Sequence, residues 1–204
     1  GGEQSGFINE LGLETYQKIL DEAVQELKEN EFKDLYHKDA ERTGEYVSDC
    51  VLETDLEILI PDSYITDITE RLSIYREIDN LSEEVEILEY QQKLEDRFGK
   101  LPNQTKDLFD ALRLRRIAKE IGFEKLTLKG EKLIGNFVSR QDSPYFGSRA
   151  FTKVLDFIKG NPPGYKMYEK GSALRLSKVG VKSIRGAIEA LAPLHAEVET
   201  SVES

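Results

Sequence analysis

The sequence predicts an α+β fold, and three observations carry that expectation. Apolar residues recur with a helical period through much of residues 9–121, and the period drops to about 2 after Gly122. Beyond that point two stretches each read strand, turn, strand, helix. The first part is therefore expected to hold helices with one strand and a helical hairpin, and the second ββα followed by ββα. Two adjacent hairpins make an antiparallel sheet with helices on one face.

Taken in order, residues 1–6 are Gly-rich and read as extended. From Asn9 to Asn30 the apolar stripe Leu13, Tyr16, Leu20, Ala23, Val24 and Leu27 predicts an amphipathic helix, with Glu14 and Lys18 placed for an i,i+4 pair. Glu31 to Ser48 loses the period, gathers acidic residues and contains Gly44, so it reads as an irregular surface linker. Cys50 to Ile60 alternates: Leu52, Thr54, Leu56, Ile58 and Ile60 share one side of a half-buried strand, and Val51, Glu53, Asp55 and Glu57 the other. Pro61 and Asp62 end it. Thr66 or Asp67 then caps a helix expected to turn Ile68, Leu72, Tyr75 and Ile78 inward.

Ser82, Glu83 and Glu84 open the next helix with carboxylates at its positive end. Gly99 closes it, Pro102 blocks continuation, and Asn103 is placed to cap a new helix running to Ile121. In this αα-hairpin Leu94 and Phe98 face inward, opposite a stripe of Lys93, Asp96, Arg97 and Lys100 that is either a solvated face or a contact surface. The second helix has the apolar arc Ala111, Leu114, Ile117, Ala118 and Ile121. Arg113, Arg116 and Glu120 project opposite, and Arg115 falls beside the arc, where its charge is held by a structural salt bridge or serves a ligand. Phe123–Leu128 and Lys132–Val138 read as a hairpin turned by Gly130 and Glu131. Ser143 and Pro144 open a helix carrying Phe151, Val154, Leu155 and Ile158. Tyr165–Glu169 and Ala173–Lys178 form a second hairpin, Val181–Leu191 a helix, and the acidic tail beyond Pro193 reads as frayed. The divisions are 1–6, 7–48, 49–194 and 195–204.

Composition narrows the function classes. The 204 residues are 39% hydrophobic and 33% charged. No apolar run approaches the ~18 residues of a membrane span, and no basic-then-apolar leader opens the chain, so a cytoplasmic location without membrane association is expected. Cys50 is the sole cysteine, which excludes an intrachain disulfide and a thiolate zinc cluster. His37 in the linker and His195 in the tail read as solvent-exposed rather than metal-binding.

Motifs of phosphate binding, dinucleotide binding, zinc proteolysis and serine hydrolysis are absent. No catalytic, cofactor-binding or metal-binding residue is therefore expected. Glu53, Asp55 and Glu57 alternate on one strand face, the minimum for a hard-cation enzyme site, but a strand with one wet face shows the same pattern.

The net charge of −11 is unevenly spread. Residues 1–100 hold 27 acidic and 10 basic side chains, and residues 101–204 hold 12 and 18. The basic half carries Lys125, Lys129, Lys132, Lys153, Lys159, Lys166, Lys170, Arg175, Lys178, Lys182 and Arg185, with Tyr165, Tyr168 and Phe137 interleaved. A nucleic-acid-binding module built on that half is the alternative reading.

Three separated motifs give the chain a family resemblance. They are Gly2-Glu3-Gln4-Ser5-Gly6; Pro61-Asp62 followed by Arg71-Leu72 and Tyr75; and Asp96-Arg97-Phe98-Gly99 with Leu101-Pro102 and a leucine- and arginine-rich helix ending at Ile121-Gly122. Occurring in this order, they resemble the C-terminal domain of bacterial transcription-repair coupling factor. The resemblance is good over about residues 1–125 and looser to Leu194.

It implies that residues 1–6 end the preceding helicase motor, and that the domain is regulatory and non-catalytic. The parent would be an ATP-dependent DNA translocase in transcription-coupled repair, with ATP and magnesium bound only in its motor domains. It also implies docking on the protein's own N-terminal excinuclease-B-like module, which masks the surface that recruits UvrA. RNA polymerase and duplex DNA would be engaged through other domains. Asp96 and Arg97 match the family's docking positions. Lys93 stands where relatives carry Glu, so the pairing there differs in sign.

Overall fold

The computed structural model describes residues 46–200, which lie within the second of two compact units, Gly44–Ser204. The expected N-terminal helix, most of the acidic linker and His37 fall outside the described residues. The elements are β1 (Val51–Thr54), α1 (Ile68–Asp79), α2 (Glu84–Phe98), α3 (Asn103–Ile121), β2 (Phe123–Lys129), β3 (Lys132–Phe137), a 3-10 turn at Pro144–Gly147, α4 (Arg149–Lys159), β4 (Tyr165–Lys170), β5 (Ala173–Val179) and α5 (Ile184–Glu199). Together they form an α+β fold. No helix among the described residues is long and apolar enough to cross a membrane.

The two hairpins form as the change of period predicts. Between β2 and β3, Gly130 and Glu131 both have positive φ, 55° and 58°, the geometry of a tight hairpin turn whose twist matches the strands. β3 pairs antiparallel with β5, so the order across the sheet is β1-β2-β3-β5-β4. One outcome was not foreseen: β1 joins the edge parallel to β2, with Val51 opposite Lys125 and Thr54 opposite Leu128, giving a mixed five-stranded sheet.

The strand expected over Cys50–Ile60 is accordingly short. Its partner β2 reaches the Gly130 turn, where Asp55 Oδ2 accepts the Gly130 amide at 3.0 Å and pairing stops. The alternation nevertheless survives beyond the ladder, with Leu56 and Ile58 packed on the core and Ile60 buried.

The sheet buries one face. Leu126, Leu128, Leu133 and Leu176 share a core with Leu114, Ala118 and Ile121 of α3, Val154 of α4, and Ala187, Leu191 and Leu194 of α5. A separate cluster, Ile60, Ile65, Ile74, Ile78, Ile87, Leu94, Leu101 and Phe109, holds α1, α2 and the start of α3 together. Burying a side chain of Leu or Phe size contributes about 1.5–3 kcal/mol, so each cluster is held independently of surface charge.

Three expectations are corrected. In α1, capped by Asp67 as expected, Ile68 and Leu72 are 64% and 40% exposed; Ile74 and Ile78 are the buried pair. The expectation holds for Ile78 and for Tyr75, which packs against the same cluster, and fails for Ile68 and Leu72, whose place on the buried face is taken by Ile74. At α3 the cap is Pro102, whose carbonyl accepts the Thr105 and Lys106 amides, and Asn103 is the first helical residue. The helix expected to end at Leu191 continues through Pro193 to Glu199. Pro193 lies on the exposed side, and burial of Leu194 and Val198 outweighs the amide that proline cannot donate.

Candidate docking surface

The αα-hairpin presents the charged stripe on a fixed base. Leu94 is buried and Phe98 half-buried, while Lys93, Asp96, Arg97 and Lys100 are exposed, as their spacing requires. Gly99 closes α2 with φ of 86°, and its amide donates to the Glu95 carbonyl at 2.9 Å. The Tyr64 hydroxyl donates to the Gly99 carbonyl at 2.7 Å, and its ring meets Phe98 edge-on with centroids 5.9 Å apart. The Leu101 amide donates to Glu95 Oε1 at 3.2 Å. These bonds pin the turn, so the stripe is presented by rigid elements.

The stripe is also partly engaged within the domain, which its spacing did not reveal. Arg97 pairs with Glu70 of α1, and its guanidinium lies 4.8 Å from the centroid of the Phe98 ring. Lys93 reaches Glu77 of α1 at 3.9 Å and lies over Tyr90, whose hydroxyl donates to Glu77 at 3.0 Å. Burial and the Glu77 carboxylate push the Tyr90 phenol well above its usual range, so it stays a donor. Asp96 accepts from Gln92 Nε2 at 2.8 Å. Glu89, Gln92, Lys93, Asp96 and Arg97 line one shallow open groove. Val85 and Leu88, 64% and 54% exposed, add apolar area toward the start of α2.

The other charged groups divide between expected and missed roles. Arg115 is structural: it donates to the Cys50 carbonyl at 2.9 Å and pairs with Asp49 at 2.8 Å and Asp79 at 3.4 Å. Cys50 itself is buried, which pushes its thiol up to about 12 and removes it as a nucleophile at neutral pH. Arg113 was expected on an open face and is instead enclosed, held by Glu84 of α2 at 2.7 Å and Asp110 at 3.0 Å. The nearly buried Asp110 also receives Arg185 of α5 at 3.3 Å. Its spacing of three residues from Arg113 was the available signal.

His195 is likewise corrected. It sits on α5 with its side chain 15% exposed, bonded to Glu120 of α3 and 3.8 Å from Glu199. These three are the group among the described residues whose atoms, all within 4.8 Å of one another, could share a cation. By contrast Glu53, Asp55 and Glu57 diverge: Glu53 pairs with Lys125 at 2.9 Å and Asp55 holds the Gly130 turn.

Two of these pairs set a pH dependence. Hydrogen bonds from Arg113 hold the Glu84 carboxyl below its ordinary value of 4.5, and the bond to His195 does the same for Glu120. A carboxyl depressed by folding stabilises the native state above its unfolded value and loses that contribution as pH falls through its folded one. Unfolding midpoints in urea are therefore expected to hold steady from pH 7 down to about 5 with respect to these groups and to fall below about 4.5. Glu84→Gln should flatten the acid limb, and an unchanged slope would show that Glu84 does not contribute to it.

Residues 54–147 match the family model of the TRCF domain. Over 184 residues the chain is 27% identical to the transcription-repair-coupling factor of Rickettsia bellii, covering 90% of this chain and 15% of that protein. It is 35% identical over 126 residues to that of Escherichia coli, covering 62% and 10%. With the factor of Buchnera aphidicola from Acyrthosiphon pisum it shares 36% identity over 169 residues, covering 82% and 19%. The chain thus spans under a fifth of the length of these relatives.

The fold matches a crystal structure of the C-terminal domain of transcription-repair coupling factor with a TM-score of 0.58 at 18% identity, covering 76% of this chain and 94% of that one. The matched region is that terminal domain and not the catalytic motor. On these grounds residues 54–147 are a TRCF domain, and the chain around them is similar in sequence to transcription-repair-coupling factors and shares the fold of their C-terminal domain.

Proposed function

We propose that this chain is a regulatory docking domain in transcription-coupled DNA repair. In this reading it binds the N-terminal excinuclease-B-like module of its own protein through Asp96, Arg97 and Lys93 and so masks the surface that recruits UvrA. The observation that supports the reading is the exposed charged groove of α2, presented on a pinned turn and flanked by exposed Val85 and Leu88. A mixed charged and apolar patch of this kind is what an interaction surface requires. Because exposed ion pairs contribute only about 0.2–1 kcal/mol each, the contact is releasable.

The role needs no cofactor from this domain. ATP, magnesium, duplex DNA and RNA polymerase belong to other parts of the longer protein, and residues 1–6 to the end of its motor. The cytoplasm is the compartment for such a protein.

The Arg97–Glu70 pair alters what charge reversal should do. The double change Asp96→Arg, Arg97→Glu is expected to cost up to about 1 kcal/mol, because it replaces one exposed pair by a repulsion. Its main effect should be on binding: calorimetry of the chain against the isolated N-terminal module should show at least a ~10-fold loss of affinity, about 1.4 kcal/mol. UvrA binding by the full-length protein should rise in parallel. A folded variant with unchanged affinity for the module would reduce the stripe to a solvated helix face.

A further inference from the structure

We propose that the face of the sheet opposite the leucine core is a binding surface for single-stranded nucleic acid. The strand register decides which basic residues act together, and it selects only some of those present in the C-terminal half. Across β4, β5, β3 and β2, Tyr168, Arg175, Asn136 and Lys125 are successive partners in one row. The next row contains Lys166 and the one beyond it Lys132 and Lys129. Side chains alternate between faces of a sheet, so these stand opposite the leucines of the core. All of them remain partly or fully exposed.

The same register removes residues that composition alone would have included. Phe137 is in the core, and Tyr165 is in an inward row with its hydroxyl donating to the Ala190 carbonyl at 2.5 Å. Lys153 and Lys159 are on α4.

Charge on this face runs against the net charge of the chain. Within the paired strands the outward rows hold Glu53, which is taken by Lys125 and Lys129 at 2.9 Å and 3.7 Å, and just beyond β1 on the same side Asp55 is taken by the Gly130 amide. Among the described residues Arg175, Lys132, Lys166 and Lys170 form no ion pair, and the buried Nε of Arg175 has no hydrogen-bond partner. Four adjacent strands span about 14 Å between the outer two axes, room for a few nucleotides laid across them.

The single aromatic ring and the amide favour bases over a uniform anion. Tyr168 offers a stacking surface, and Asn136 offers a donor and an acceptor to a base edge. A stacking ring and an amide aimed at base edges need bases that are unstacked and unpaired, so exposed bases fit this surface better than paired ones.

The test is fluorescence anisotropy of a labelled thymidine oligonucleotide of about 12 nucleotides with this chain. With about four phosphates neutralised, binding should weaken about 50-fold between about 50 and 200 mM salt. Arg175→Glu with Lys132→Glu should lower affinity at least ~10-fold at the lower salt, and Lys166→Glu with Lys170→Glu on the edge strand provides the same test if the first pair disturbs folding. Tyr168→Ala should weaken binding about fivefold or more while leaving the salt slope unchanged. The docking variant at Asp96 and Arg97 should bind the oligonucleotide normally, which separates failure of this proposal from failure of the docking reading. The proposal is overturned if the chain at about 50 µM binds no oligonucleotide at the lower salt, if folded charge variants bind normally, or if duplex DNA or polyglutamate binds as tightly as the single strand.

Discussion

Gly122→Ala is expected to destabilise the domain by about 3 kcal/mol or more, enough to consume a large part of a typical domain's stability. Two causes add at this position. Gly122 ends α3 with φ of 111°, which an L side chain adopts only at a cost of about 1 kcal/mol or more. A Cβ there would also overlap two carbons of the Tyr145 ring.

The ring cannot withdraw, because Tyr145 is fully buried among Tyr46, Phe137, Phe146 and Phe151 and its hydroxyl donates to the Ile121 carbonyl at 2.6 Å. Overpacking of this kind costs about 1–3 kcal/mol. Gly99→Ala is the informative contrast: its added Cβ would meet nothing within 4 Å, so only the backbone cost remains, about 1–3 kcal/mol for a side chain at φ of 86° and ψ of −173°. Urea unfolding of both variants tests the difference. Equal losses at the two glycines would remove the steric part of the argument.

Arg113→Ala is expected to cost about 2 kcal/mol, through the partners it abandons rather than through its own burial. Its Nε and Nη2 donate to Glu84 at 2.9 Å and 2.7 Å, its Nη1 to Asp110 at 3.0 Å and its Nη2 to Gln91 at 3.3 Å. Asp110 keeps Arg185, and Glu84 is open to water, so the loss falls short of the ~3–5 kcal/mol of a fully buried broken pair. Arg113→Lys should recover less than half of it, since an ammonium cannot serve two carboxylates and an amide in a planar fork. Denaturant midpoints with a matched Glu84→Gln, Arg113→Ala cycle measure the coupling. A coupling near zero would show that Arg113 acts only as packing.

The helical hairpin was legible because its signals are local. Gly99, Pro102 and the spacing of Leu94 and Phe98 each act within one or two turns, and they place Asp96 and Arg97 outward whatever lies beyond. The hairpin at Gly130 and Glu131 was legible for the same reason: alternation and turn residues decide it within a few positions. The partners of the stripe were not legible. Glu70 and Glu77 meet Arg97 and Lys93 only because α1 packs beside α2, and the faces of α1 were misassigned at Ile68 and Leu72, where apolar residues occupy more than one side of the helix. His195 was misread because Pro193 signals a helix end, whereas Leu194 and Val198 reach a core that no local signal describes.

By itself the sequence determined the α+β class, the two hairpin-helix units, the turn at Gly99 and the outward stripe, together with the family motifs that run through them. Periodicity, glycine and proline act over a few residues, and those are the distances a sequence displays directly. Only the tertiary structure decided that β1 would add in parallel to β2, that Arg113 would be enclosed by Glu84 and Asp110, and which lysines would share the sheet face opposite the core. Each of those depends on contacts between residues tens of positions apart, where the choice of partner is made by burial of the common core and not by any local preference of the chain.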